Sequence, residues 1–138
     1  LLPSFKDYVI QIQLNSKKLS SDLLDLDFKI VSGGTDNHLL LIDLRNKNIT
    51  GKDAEISLGK ANITVNKNMI PYDEQPPFVT SGIRIGTPAI TTRGFKEEDM
   101  GFVAQSINDA INNYENDEKL NSIYDNVKKQ MKDRPLFA

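Results

Sequence analysis

The chain has 138 residues and a mass of 15.5 kDa, the size of one domain, and its 38% hydrophobic and 26% charged residues are sufficient for a folded core. Lys and Arg total 17 against 19 Asp and Glu, a net charge of −2, so the clustered basic excess that nucleic acid or an anionic membrane surface requires is missing. There is no Cys and a single His, which excludes disulfides, thiolate catalysis and multi-histidine metal sites.

The first segment has a helical pattern. Phe5, Tyr8, Val9, Ile12, Ser16, Leu19, Leu23 and Leu26 recur at steps of three and four, after a Ser4/Asp7 capping box that follows Pro3. The stripe is long for a domain of this size and suits a helix that bridges to a neighbouring domain. No apolar run approaches the roughly 20 residues of a membrane span, and no signal peptide is visible. The start, Leu1-Leu2-Pro3, lacks an initiator Met, so the chain is expected to be a piece of something longer.

A short strand is expected at Phe28 to Val31, turning through Ser32-Gly33-Gly34-Thr35-Asp36. The apolar run from His38 to Leu44 suits a central buried strand. Thr50 and Asp53 form a second capping box, opening a helix whose inner face is Ala54, Leu58 and Ala61. A further strand is expected at Ile63 to Val65. Asn66 to Pro77, with Pro71, Pro76 and Pro77, reads as an ordered extended loop rather than sheet or helix. Ser81 to Gly86 is a strand bracketed by glycines. Two helices follow Pro88 and Gly94: one carries Met100, Val103, Ile107, Ala110, Ile111 and Tyr114, the other Leu120, Ile123, Tyr124, Val127 and Met131. This order predicts an α+β fold, a small antiparallel or mixed sheet with helices packed on one face.

Arg84 stands out chemically. Strand alternation sends Ile83 and Ile85 to one face and Arg84 to the other, between Gly82 and Gly86, which leave the backbone bare for close approach. Its guanidinium offers a planar fork that matches a carboxylate with two parallel hydrogen bonds; the alternative is an outward Arg that meets water or a surface acid. Asn68, Tyr72, Pro76, Pro77 and Phe78 suit a flat apolar wall with an amide, as a heteroaromatic ring requires, or else a surface loop pinned by prolines. His38, beside Asp36 and Asn37, is read as a hydrogen-bonded structural residue. Gly33-Gly34 opens no helix and is rejected as a phosphate loop. Glu97 to Asp99 is a helix start rather than a catalytic carboxylate pair.

Four blocks in order, Ser32 to His38, Ala61 to Asn68, Phe78 to Ala89 and Thr92 to Phe95, resemble serine hydroxymethyltransferase, most closely its bacterial members. The resemblance covers essentially the whole chain. It implies the C-terminal small domain of a fold type I pyridoxal-phosphate enzyme, with 1–27 as bridging helix, 28–138 as the sheet-and-helix domain, and the large cofactor-binding domain absent. It implies interconversion of serine and glycine with tetrahydrofolate as one-carbon acceptor, in one-carbon metabolism and amino-acid biosynthesis. The pyridoxal 5'-phosphate draws electron density from Cα, and the protein supplies orientation. By this resemblance Arg84 grips the substrate carboxylate, and Asn68, Pro76, Pro77 and Phe78 contact folate. Many members have Ser where Pro76 stands, which leaves a backbone contact and removes a hydroxyl one.

The family's Schiff-base lysine lies in a threonine-rich segment followed by His-Lys, and this chain has no such segment. The resemblance therefore implies that these residues alone bind no cofactor and are inactive. Implied partners are serine, glycine, tetrahydrofolate and the large domain, in a cytoplasmic dimer or tetramer without nucleic acid or membrane. The alternative is a free-standing amino-acid or folate binding or regulatory module. A third reading, a purely structural partner for another chain, predicts an exposed apolar stripe on the first helix.

Overall fold

The computed structural model describes residues 4–31, 39–132 and 134. The expected turn at Ser32 to Asp36 and the residue His38 lie outside the described residues.

Helix α1 spans Phe5–Asp25 and begins where expected: the Ser4 hydroxyl accepts the Asp7 N–H at 3.1 Å, filling one of the donors a helix start leaves open. Its buried face is Ile12, Asn15, Ser16, Leu19, Ser20 and Leu23. Leu19 and Leu23 are wholly enclosed, and each such side chain contributes about 2 kcal/mol by leaving water. Phe5 continues the same stripe but is 79% exposed, beyond the elements on which the rest of the helix packs. Ile10, Leu14 and Leu24 are also exposed, and at 100° per residue they share the face opposite the buried one.

Strands β1 (Lys29–Ile30), β2 (Leu39–Asp43), β3 (Asn66–Asn68) and β4 (Gly82–Gly86) form one sheet in the order β1-β2-β4-β3, every pair antiparallel. Leu40, Ile42, Ile83 and Ile85 point inward from the two central strands and are buried. Helix α2 (Gly51–Lys60) packs on this inner face through Ala54 and Leu58, with Ala61 buried at its cap. Helices α3 (Thr87–Thr92), α4 (Met100–Asn112) and α5 (Asp117–Met131) close the core, α4 against α1 and α2, and α5 against α2 and α4. Asn116 caps α5, accepting the Lys119 N–H at 3.1 Å.

The expected α+β fold is present, its sheet antiparallel throughout, with two local corrections. The strand expected at Ile63 to Val65 instead forms at Asn66–Asn68, three residues later, within a stretch read as loop. Ile63 and Val65 are buried because the segment after α2 passes under the helices, so their burial comes from packing rather than from a ladder. Helix α3 was not expected, since the two helices were placed after Pro88 and Gly94. Pro88 sits in the first turn, where the missing N–H costs no hydrogen bond.

A buried polar tie joins α1 to the α3–α4 corner. Asn15 is 0% exposed; its Nδ2 donates to Thr91 Oγ1 at 2.8 Å and to the Phe95 carbonyl at 3.0 Å, while its Oδ1 accepts from Gln11 at 2.9 Å. Thr91 in turn donates to the Thr87 carbonyl at 2.8 Å. These bonds hold α1 on the helix that directly continues β4.

Candidate functional site

The sheet has a covered face and an open one. In an antiparallel ladder, directly opposed residues share a face. Asn66 and Leu41 stand opposite Arg84, while Asn68 and Asp43 stand opposite Gly82, so these side chains and Arg84 belong to the outer face. Arg84 is exposed there, and Ile83 and Ile85 are buried behind it, as alternation predicts.

The acid on the same face does not neutralise Arg84. Asp43 is held by Arg45, with Nε to Oδ1 at 3.1 Å and Nη2 to Oδ2 at 2.8 Å. This hydrogen-bonded guanidinium keeps the Asp43 carboxyl below its ordinary value, against the opposing effect of burial. Among the described residues, none makes a hydrogen bond or ion pair with the Arg84 guanidinium. Among the described residues, a central strand thus presents a planar cation that no acid pairs with, flanked by the Asn66 amide.

The two glycines beside Arg84 differ. A Cβ at Gly82 would lie 2.7 Å from Ile70 Cγ2, 2.8 Å from the Ile42 carbonyl oxygen and 2.9 Å from that of Asn68. The space there is occupied by the chain's own atoms, which corrects the expectation of a bare backbone on that side. At Gly86 a Cβ would meet, among the described residues, Leu39 and Pro88 at 3.5 Å and 3.9 Å, both ordinary contacts.

The loop between β3 and β4 is ordered by Asp73. Its carboxylate accepts the Ile70 N–H at 3.2 Å, the Gln75 N–H at 2.9 Å, the Ser81 N–H at 2.8 Å and the Ser81 hydroxyl at 2.7 Å. Burial works to raise its pKa, but the Ser81 hydroxyl and the three backbone donors outweigh it and hold the group at about 2. The loop is also clamped to the start of α2, where Gly51 and Lys52 donate their N–H groups to the Thr80 and Val79 carbonyls at 3.0 Å and 2.9 Å. Only glycine fits at position 51, since a Cβ would lie 2.0 Å from Thr80 Oγ1.

Asn68 and the two ends of this loop meet at the Gly82 end of β4. Asn68 Nδ2 donates to the Met69 carbonyl at 2.9 Å, leaving its side-chain oxygen as an acceptor. Pro76 accepts the Val79 and Thr80 N–H groups, both at 2.9 Å, so its carbonyl is used to turn the chain. Pro76, Pro77 and Phe78 are exposed, Phe78 by 68%, and Tyr72 is 98% exposed with a left-handed backbone at φ 57°. Among the described residues, no hydrogen bond joins Pro76, Pro77 or Phe78 to Asn68 or Arg84. The structure thus places Asn68 on the Arg84 face and the proline segment, exposed, in the turn that leads by way of the α2 start into β4.

Two contributors were missed by sequence reasoning. Asp73 was noted only as part of the loop; an Asp followed two residues later by its own N–H partner is a local turn signal, but its bonds to Ser81 are long-range. Asn66 was assigned to the loop, and only the ladder reveals its place opposite Arg84. Glu97–Asp99 forms a 3-10 turn ahead of α4, with the Lys96 N–H donating to Asp99 at 2.9 Å, consistent with a structural role. Among the described residues no group of His, Cys, Asp and Glu is arranged to hold a metal ion, and no described helix is long and apolar enough to cross a membrane.

A family model described as serine hydroxymethyltransferase matches residues 1–107, from the chain start into α4. The match spans Arg84, Asn68, the Asp73 loop and the whole sheet. The match covers well over half of the residues, and this chain belongs to the serine hydroxymethyltransferase family.

Proposed function

We propose that this chain forms the part of a serine hydroxymethyltransferase that holds the amino-acid carboxylate and faces the folate. The observation that carries the reading is the unpaired Arg84 guanidinium on the outer face of a central strand, within the span of the family match. A carboxylate reaching this face gains two parallel charge-assisted hydrogen bonds from one planar fork. Serine and glycine both carry that group. Fixing it fixes the rotation of the amino acid about its Cα, and hence which Cα bond is presented for cleavage. Because β4 is laced to strands on both sides, little order has to be created when the substrate arrives.

The folate reading rests on Asn68 and the proline segment. The free side-chain oxygen of Asn68 accepts from a ring N–H, and Pro76, Pro77 and Phe78 offer an apolar surface to an aromatic face. Asp73 and the α2 start hold that segment in place, so the wall is preformed.

The described residues do not fit pyridoxal phosphate. Its Schiff base requires a lysine, and the lysines of the sheet are unsuited. Lys29 is exposed on the edge strand, and Lys67 faces inward, where its backbone N–H and its Nζ bond to Glu55 at 2.9 Å and 3.5 Å. On this reading the cofactor and its lysine come from a large domain that carries the threonine-rich segment these 138 residues lack, and the described residues alone do not turn over substrate. The exposed Ile10, Leu14 and Leu24 face of α1 supports packing of that domain along the helix. The complete enzyme is cytoplasmic and oligomeric, a dimer or tetramer formed mainly through the large domain.

The test is kcat/KM for serine in the complete enzyme carrying Arg84→Ala. Leaving a carboxylate unpaired in a partly desolvated site is expected to lower it by about 100-fold or more, some 3 kcal/mol of transition-state binding. An unchanged value overturns the assignment.

A further inference from the structure

Away from the Arg84 face, the segment after α2, the end of α3 and the facing sides of α4 and α5 enclose a cavity of about 200 Å³. Its walls are Ile63, Ile90, Phe95, Phe102, Val103 and Val127. An apolar cavity of ~150 Å³ stays dry and accepts benzene, so this one has room for a ring or a short alkyl chain with a small polar arm.

One region of the lining is different in kind. Arg93 is half-buried there, and its Nη1 donates to the Asn62 carbonyl at 2.9 Å. A guanidinium has five donors, and among the described residues this is the only bond it makes; no carboxylate pairs with it. The Ser106 hydroxyl also lines the cavity, on a residue only 6% exposed, and makes no hydrogen bond among the described residues. The contrast with Arg134 is informative. Arg134 lies over the Phe95 ring, 4.9 Å from its centroid, but its charge is met by Asp99 through bonds of 2.6 Å and 2.7 Å. Among the described residues, Arg93 has an apolar chamber beside it instead of an acid.

We propose that this cavity binds a small amphipathic carboxylic acid, its ring or alkyl part among Ile90, Phe95, Phe102, Val103 and Val127 and its carboxylate on Arg93 and Ser106. The apolar walls supply the burial and the guanidinium selects the anion, since a neutral molecule of the same shape leaves the cation unpaired. The site is separate from the serine carboxylate position on Arg84. The two are joined along the chain, because α3 follows β4 directly.

The test uses methyl-labelled intact protein titrated with benzoate and with benzyl alcohol, its neutral counterpart. Benzoate is expected to shift the Ile90, Val103 and Val127 methyl signals and to bind about tenfold more tightly than benzyl alcohol. Arg93→Gln is expected to reduce benzoate to the level of the alcohol, whereas Arg84→Ala leaves benzoate binding at these methyls unchanged. Unmoved methyls, equal affinity for the two probes, or loss of the signal with Arg84→Ala each overturn the proposal. The comparison of the two probes on the unaltered protein decides the matter even where Arg93→Gln folds poorly.

Discussion

Asp73 takes both the backbone N–H and the hydroxyl of Ser81, at 2.8 Å and 2.7 Å, and so ties the proline-containing loop to the residue that leads into the Arg84 strand. The carboxylate is held at about 2, below the ordinary 3.8 expected of it in the unfolded chain. A depressed carboxyl contributes stability that is complete above the unfolded value and is lost as pH falls through it toward the folded one. Acid titration from pH ~5 to ~2 is therefore expected to cost about 1 kcal/mol through this group, after allowance for solvent screening. Asp73→Asn should flatten that limb of the stability curve measured by denaturant unfolding. An identical acid limb in the variant would show that Asp73 does not anchor the loop.

The glycines beside Arg84 predict opposite outcomes for the same substitution. Gly82→Ala drives a methyl into Ile70 and two backbone carbonyls and is expected to cost about 2–3 kcal/mol. Gly86→Ala meets only ordinary contacts and should stay within about 0.5 kcal/mol of the parent. Unfolding midpoints of the two variants check this, and comparable losses would contradict the packing described.

Asn15 is the expected weak point of the α1 attachment. Asn15→Leu keeps the branched shape and the number of side-chain heavy atoms but leaves the Phe95 carbonyl without the donor it has in the buried corner, at a cost of about 1–3 kcal/mol. Hydrogen exchange should then quicken in α1 before it quickens in the central strands. Uniform quickening would mean that Asn15 plays no special part in holding the helix.

Much of this arrangement was legible in the residues. The Ser4 and Thr50 caps are local, so their spacing alone located two helix starts. Ile83, Arg84 and Ile85 revealed their faces because strand alternation is strict. Non-local bonds were not legible. Asn66–Asn68 contains no β-branched residue, and it becomes a strand because β4 offers a free edge beside it. Gly82 looked open until Ile70, twelve residues earlier, was seen to fill its space. Asn15 lies beside Ser16 on the buried face of α1, and a polar residue inside that stripe has meaning only once Thr91 and Phe95 are found opposite it.

The exposed face of α1 has its own consequence. Ile10, Leu14 and Leu24 present apolar side chains to solvent, and the described residues on their own are expected to bind an apolar fluorescent dye or to self-associate with rising concentration. Leu14→Lys should suppress both. A monomer that binds no dye would argue against a covered partner surface here.

The claim that Arg84 holds a carboxylate is tested most directly by comparing glycine with glycinamide in the complete enzyme, with and without Arg84→Gln. The parent is expected to favour glycine by about 100-fold, because the amide cannot form the charged two-point contact, and the variant should lose most of that preference. A variant that still discriminates as strongly as the parent would place the carboxylate on another residue.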